Sequence, residues 1–199
     1  MGRPPLSAIS TATPERILDA ARIEFAAAGF AQAKLADIAA TAGITRPSLL
    51  YHFDSKEALY AATVARCFDG LARALAAQVT ATGPFVERLR ATMQSYLAFV
   101  ESEPEVARIV LRELVAGTGP GADILMNQVA PLVDLVERFI RMQGRGVVRG
   151  DVPLRAAILQ IATDGLVRAA AGPLRVPLWG AEDHAQKLAE LLLLEEEYR

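Results

Sequence analysis

The run Thr45-Arg46-Pro47-Ser48-Leu49-Leu50-Tyr51-His52 concentrates the groups in this chain best suited to reading a nucleic acid. Arg46 carries a planar fork of donors that matches the O6/N7 edge of a guanine. Pro47 and Ser48 stand with Arg46 at the front of the helix, Tyr51 and His52 offer hydroxyl and imidazole groups for phosphate oxygens, and the Tyr51 ring can also pack on a thymine methyl. Lys34 and Lys56 stand on either side with ammonium groups for phosphates, Lys56 at a helix N-terminus where free N–H groups favour an anion. Taken singly, each residue has a plainer reading: a solvated arginine, two turn-forming residues, a histidine at the edge of a core.

Their spacing argues for more. Leu35, Ile38, Ala39 and Ala42 fall at i, i+3, i+4 and i+7, one apolar face of a short helix. Gly43 breaks that pattern, as expected where a positive φ closes a helix. Thr45 can cap the next helix and Pro47 suits its first turn, where no N–H is lost. In that helix only Leu49 and Phe53 share a core-facing side, which leaves Arg46, Pro47, Ser48, Leu50, Tyr51 and His52 pointing elsewhere. A helix, a glycine turn and a second helix with a polar and aromatic outer face is the arrangement that sets a recognition helix in the DNA major groove.

The same stretch resembles the DNA-binding domain of the tetracycline-repressor (TetR) family. The resemblance rests on Gly29-Phe30, Ile38-Ala39, Ala42-Gly43-Ile44, Leu49, His52-Phe53, Ser55-Lys56-Glu57 and Leu59, many fixed positions at fixed spacing. It covers about the first third of the chain in detail, and the remainder only in length, helical character and layout. Three positions depart from the family pattern. Lys34 stands where Thr is common, which loses a helix cap but still reaches a phosphate. Ala36 replaces a polar or basic residue, and Leu50 a Tyr.

Composition sets the outer bounds. The chain has 199 residues, 52% apolar but only 6% aromatic, so its core is built from Ala, Leu and Val, which favours helices over sheets. No apolar run reaches the length of a membrane span and no secretory apolar segment opens the sequence, so a cytoplasmic protein is expected. The lone cysteine, Cys67, excludes an internal disulfide and any multi-cysteine metal site. The abundance of Arg over Lys, with so much Ala, suggests a GC-rich bacterial genome. Net charge is −2. Residues 1–56 hold Arg3, Arg16, Arg22, Lys34, Arg46 and Lys56 against Glu15, Asp19, Glu24, Asp37 and Asp54, a small positive balance without a dense basic patch. Non-specific DNA affinity is therefore expected to be modest.

Punctuation along the chain predicts an all-α protein: an N-terminal arm and three-helix domain with the helix-turn-helix over 1–56, and a helical body over 57–199. Residues 1–12 read as a flexible arm, with Arg3 available to a minor groove. Thr13-Pro14-Glu15 reads as the start of the first helix, with Ile17, Ala21, Phe25 and Ala28 as its buried stripe and Gly29 as its stop. Asp54 can cap the next long helix in a box with Glu57, running to about Thr80. Further helices are expected over 85–101, 104–116, 122–142, 154–171 and 182–197, divided by Gly83-Pro84, Glu103-Pro104, Gly117–Gly121, Gly144–Pro153 and Gly172-Pro173.

The resemblance implies a ligand pocket in the body and a two-fold dimer. Candidate pocket residues are Phe68, Met93, Tyr96, Phe99, Val100, Arg112, Leu125 and Met126, with Arg112 as the one group able to orient an anionic or carbonyl-bearing ligand; for each alone, plain core packing is the simpler reading. Ala162, Gly165 and Ala169 form a small-residue face, and Leu132, Val136, Phe139 and Ile140 a facing apolar stripe, suited either to a dimer interface or to packing within one chain. A dimer would set two recognition helices one DNA turn apart, about 34–36 Å. An enzyme or metal-binding bundle is disfavoured, because His52 and His184 stand apart with no partner motif; no catalytic residue, cofactor or metal is expected. The expected protein is a ligand-responsive transcriptional regulator, most directly a repressor. It would be released from operator DNA by a hydrophobic or amphipathic small molecule, with the helix after Ser55 carrying the motion. The alternative is an architectural or partner-binding helix-turn-helix protein without an inducer.

Overall fold

The computed structural model describes residues 6–199, with side chains from Thr13 onward, so Arg3 lies outside the described residues. Ten α-helices run in order: α1 Leu6–Gln32, α2 Leu35–Thr41, α3 Arg46–His52, α4 Lys56–Thr80, α5 Phe85–Ser102, α6 Pro104–Ala116, α7 Pro120–Gln143, α8 Leu154–Ala170, α9 Arg175–Trp179 and α10 Ala185–Leu193. Among the described residues there is no strand, only one antiparallel bridge between Val148 and Leu194. The element order matches the all-α expectation.

Three local expectations are corrected. The first helix begins by Leu6 rather than at Thr13, so residues 6–12 are helical and Pro14 lies inside the helix. The cap of α4 is Ser55, whose hydroxyl accepts from the Ala58 N–H at 3.0 Å; Asp54 lies one residue too early for its box with Glu57. The connector after Gly172 holds a 3-10 turn and the short α9, and α10 ends at Leu193, where the chain straightens to pair with Val148. The interruption of α1 falls where the sequence puts it: Gly29 adopts φ +76°, a conformation costly for any residue with a Cβ.

Two apolar clusters hold the molecule together. The first joins Ile17, Phe25, Ile38 and Leu49 of the helix-turn-helix head to Leu59, Tyr60, Val64 and Leu71 of α4, and to Ile109, Val110 and Leu125 of the body. The second packs Leu89 and Met93 against Phe139, Ile140, Ile158 and Leu193. An aromatic knot anchors the head: Tyr60 meets Phe25 edge-on at 4.8 Å and Phe30 at 5.0 Å between ring centroids. Such edge-on pairs add about 0.5–1.5 kcal/mol each beyond their burial.

Candidate DNA-reading face and ligand cavity

The reading face is built on a single apolar anchor. In α3 only Leu49 is buried, at 0% exposure, packed with Ile38 and Ala39 of α2. Thr45 starts the helix by accepting the Ser48 N–H at 3.3 Å. Gly43 makes the turn at φ +68°, and Arg16 of α1 donates to the Ala42 carbonyl, tying that turn to the first helix. With the helix fixed from behind, Arg46, Pro47 and Tyr51 stand exposed, Ser48, Leu50 and His52 half-exposed. Tyr51 is 86% exposed, with its ring beside that of His52 at 5.4 Å between centroids. A large aromatic held out in water on a rigid helix is poised for a partner surface.

Lys34 and Thr45 are exposed beside this face. Lys34 precedes α2 and makes no side-chain cap, as its type predicts. Lys56 is differently placed from the expectation of a free phosphate contact. Its ammonium donates to the Ala31 carbonyl at 3.0 Å and sits 5.0 Å over the Phe30 ring, so it fastens the link between α1 and α2 to the start of α4.

The body contains an apolar cavity of about 130 Å³ between α4, α5, α6, α7, α8 and α10. Of the expected ligand residues, Phe68, Met93, Tyr96, Phe99 and Val100 line it. Arg112, Leu125 and Met126 do not. Arg112 turns the other way and donates to the carbonyls of Ala26 and Ala27 at 3.1 and 2.6 Å, closing the last full turn of α1 before Gly29. Leu125 is buried in the core shared with the head, and Met126 is 47% exposed. Sequence reasoning missed Leu71, Val106, Val110, Val129 and Ile161 in the wall. The periodic apolar stripes of α4 and α6–α8 hold them, but a stripe does not tell a cavity wall from a filled core.

Within the single chain the expected dimer residues fall in several places. Phe139 and Ile140 are buried in the chain's own second core. Leu132, Val136 and Ala162 line the cavity. Gly165 lies against Tyr96, where an added Cβ would come within 2.9 Å of the ring, and Ala169 is half-buried. Gly165 and the Ala162 carbonyl thus pack against α5 within the chain. Tyr96 completes that contact with a 2.5 Å bond from its hydroxyl to the Ala162 carbonyl, and burial pushes its pKa above the usual tyrosine range.

Head and body are joined by polar contacts as well as by the shared core. Glu113 on α6 accepts the Phe30 N–H at 3.1 Å, and Arg22 on α1 reaches Glu103 and Glu105 at 2.5 and 3.3 Å. The Tyr60 hydroxyl is buried nearby without a hydrogen bond of normal geometry, and burial together with the Glu113 charge raises its pKa. Two helices therefore touch both sites. α4 gives Leu59 and Tyr60 to the head and Phe68, Leu71 and Leu75 to the cavity; α6 gives Val106 and Val110 to the cavity and Arg112 and Glu113 to α1.

Residues 17–63, from the buried stripe of α1 through the first turns of α4, match the model of bacterial regulatory proteins of the tetR family. This part of the chain is a DNA-binding domain of the TetR type. It is 31% identical over 124 residues to the HTH-type transcriptional regulator RutR of Escherichia coli K12, a match covering 62% of this chain and 58% of RutR. It is 32% identical over 95 residues to the HTH-type transcriptional activator FasR of Mycolicibacterium smegmatis, covering 48% of this chain and 43% of FasR. The match thus spans less than two thirds of these relatives' length. The fold extends further than the sequence likeness. A crystal structure of an HlyIIR variant with one segment replaced by a linker superposes with a TM-score of 0.74 at 17% identity, covering 93% of this chain and 97% of that one. The TetR head is thus continuous with a body that has the HlyIIR fold.

Proposed function

We propose that the protein is a ligand-responsive, DNA-binding transcriptional regulator that acts as a repressor released from its operator by a hydrophobic small molecule. The observation that carries this reading is the dual role of α4. One rigid helix forms the floor of the head through Leu59 and Tyr60 and a wall of the cavity through Phe68, Leu71 and Leu75. A molecule entering the cavity biases the position of α4, and with it the direction of α3. The DNA contacts proposed are Arg46 with base edges, Tyr51 with a base or phosphate, and Lys34, Thr45, Ser48 and His52 with phosphates; Pro47 and Leu50 shape the groove-facing surface. Lys56 supports the face from behind.

The reading includes a homodimer, which the spacing of two major-groove sites requires. Its interface is proposed on the packed pair α8–α10, where Leu159, Leu188 and Leu191 are exposed. The relatives RutR and FasR bear the names of transcriptional regulators, which supports a regulator over an enzyme. Among the described residues no cluster of His, Cys, Asp or Glu is arranged for a metal, and no helix is long and apolar enough to cross a membrane. The protein would meet its operator in the bacterial cytoplasm.

Operator selection from a random duplex library tests the reading. It should enrich a palindrome with half-sites one helical turn apart, and sedimentation should give a dimer that Leu188→Glu splits. Absence of any enriched palindrome, or a monomer at micromolar concentration, would refute it.

A further inference from the structure

We infer that the cavity selects an uncharged, hydrocarbon-like effector of about one ring in size, and rejects molecules that carry a carboxylate, a carbonyl or an amine. This rests on the reading of the cavity as the effector site. No charged side chain lines it, and its only polar wall groups are the hydroxyls of Thr92 and Tyr96. Both hydroxyls already donate within the chain: Thr92 to the Arg88 carbonyl at 2.8 Å and Tyr96 to the Ala162 carbonyl at 2.5 Å. The wall therefore offers no hydrogen-bond donor to an acceptor on the ligand and no carboxylate to pair with the ammonium form of an amine. Arg112, the cation that would have met an anion, is committed to the carbonyls of Ala26 and Ala27. Placing an unpaired carbonyl or charge in such a site forfeits its hydration with nothing in return.

Size narrows the class further. The volume of about 130 Å³ is close to the ~150 Å³ of a dry apolar cavity that takes benzene or xenon. Phe68 and Phe99, with ring centroids 5.9 Å apart, set aromatic surface on the wall, and Met93 supplies a side chain flexible enough to adapt to a methyl or short alkyl substituent.

The test uses the full chain and a matched series: toluene, acetophenone, benzoate and benzylamine, with xenon as a size-only probe. Binding is read by calorimetry and by xenon chemical shift, and operator affinity is measured in parallel. Toluene and xenon should bind, with acetophenone, benzoate and benzylamine roughly ten- to a hundred-fold weaker. Val133→Phe and Val129→Phe, each filling the cavity from α7, should abolish toluene binding. Equal or tighter binding of acetophenone or benzoate would overturn the inference and leave the effector cavity standing. Failure of both toluene and xenon to bind would overturn it as well. Tight toluene binding with no change in operator affinity would uphold the selectivity and refute the regulatory reading instead.

Discussion

Replacing Gly121 by alanine should destabilise the protein, although helix propensity alone predicts the reverse. Gly121 lies in the first turn of α7, where Gly→Ala ordinarily gains up to about 1 kcal/mol. Here an added Cβ would stand 2.5 Å from Glu113 Oε2, 2.8 Å from Phe30 Cβ and 2.9 Å from Glu113 Cδ. Glu113 is only 7% exposed, and its other oxygen accepts the Phe30 N–H. Rotating the carboxylate clear breaks a hydrogen bond to a charged group, worth about 1.5–3 kcal/mol. Phe30 Cβ belongs to the aromatic knot and yields only at the cost of overpacking, about 1–3 kcal/mol. The net expectation is a loss of about 2–4 kcal/mol, or roughly 5–15 °C in Tm for a chain of this size. Thermal and urea melts read this directly. The double-mutant cycle with Glu113→Ala isolates the cause, since the penalty should shrink once the carboxylate is gone. A Tm for Gly121→Ala at or above that of the parent would refute the reasoning.

Tyr51→Ala should weaken operator binding by at least roughly tenfold yet change stability by less than about 0.5 kcal/mol, since the ring is 86% exposed; parallel melts and operator titrations check both halves. Arg46→Ala should relax base preference at one position per half-site, at about 1–3 kcal/mol, seen as a flattened profile across operator variants. Arg112→Met should lower stability by about 1.5–3 kcal/mol through its lost carbonyl bonds while leaving toluene affinity unchanged, measured by melts and calorimetry. Burial raises the Cys67 pKa to about 11 from 9.0, so the folded state holds its thiol proton longer than the unfolded one. The corresponding stability is complete below pH 9 and is lost as pH rises towards 11; a melt series over that range should show a decline that Cys67→Ala lessens.

Several helix boundaries in the body were legible because glycine and proline interrupt the chain between them. Gly83-Pro84, Glu103-Pro104 and the 117–121 loop each separate two helices. The exposed side of α3 was legible too, since Leu49 alone accounts for burial in that helix. The side each body helix turns to its neighbours was not. Leu132 and Val136 look the same in a sequence whether they face a partner chain, a filled core or a cavity, and only the packing of α7 among α4, α6 and α8 decides. Arg112 was misplaced for a related reason. Apolar neighbours on both sides suggest an inward charge, whereas its register on α6, three residues after the buried Ile109, carries it to the end of α1. The shift of the α4 cap from Asp54 to Ser55 reflects two adjacent residues of equal capping ability, which local preference cannot rank.

The dependence of α3 on one buried leucine has a consequence for descent as well as for binding. Because the remaining positions of this helix carry little of the fold's stability, substitutions there are nearly neutral for folding while changing the groups offered to DNA. A lineage carrying this head can drift to new operators one residue at a time without passing through unfolded intermediates. The cavity has no such freedom, because its walls also form the seam between the two cores. After a duplication, the two copies would part in the DNA they read well before they part in the molecule they sense.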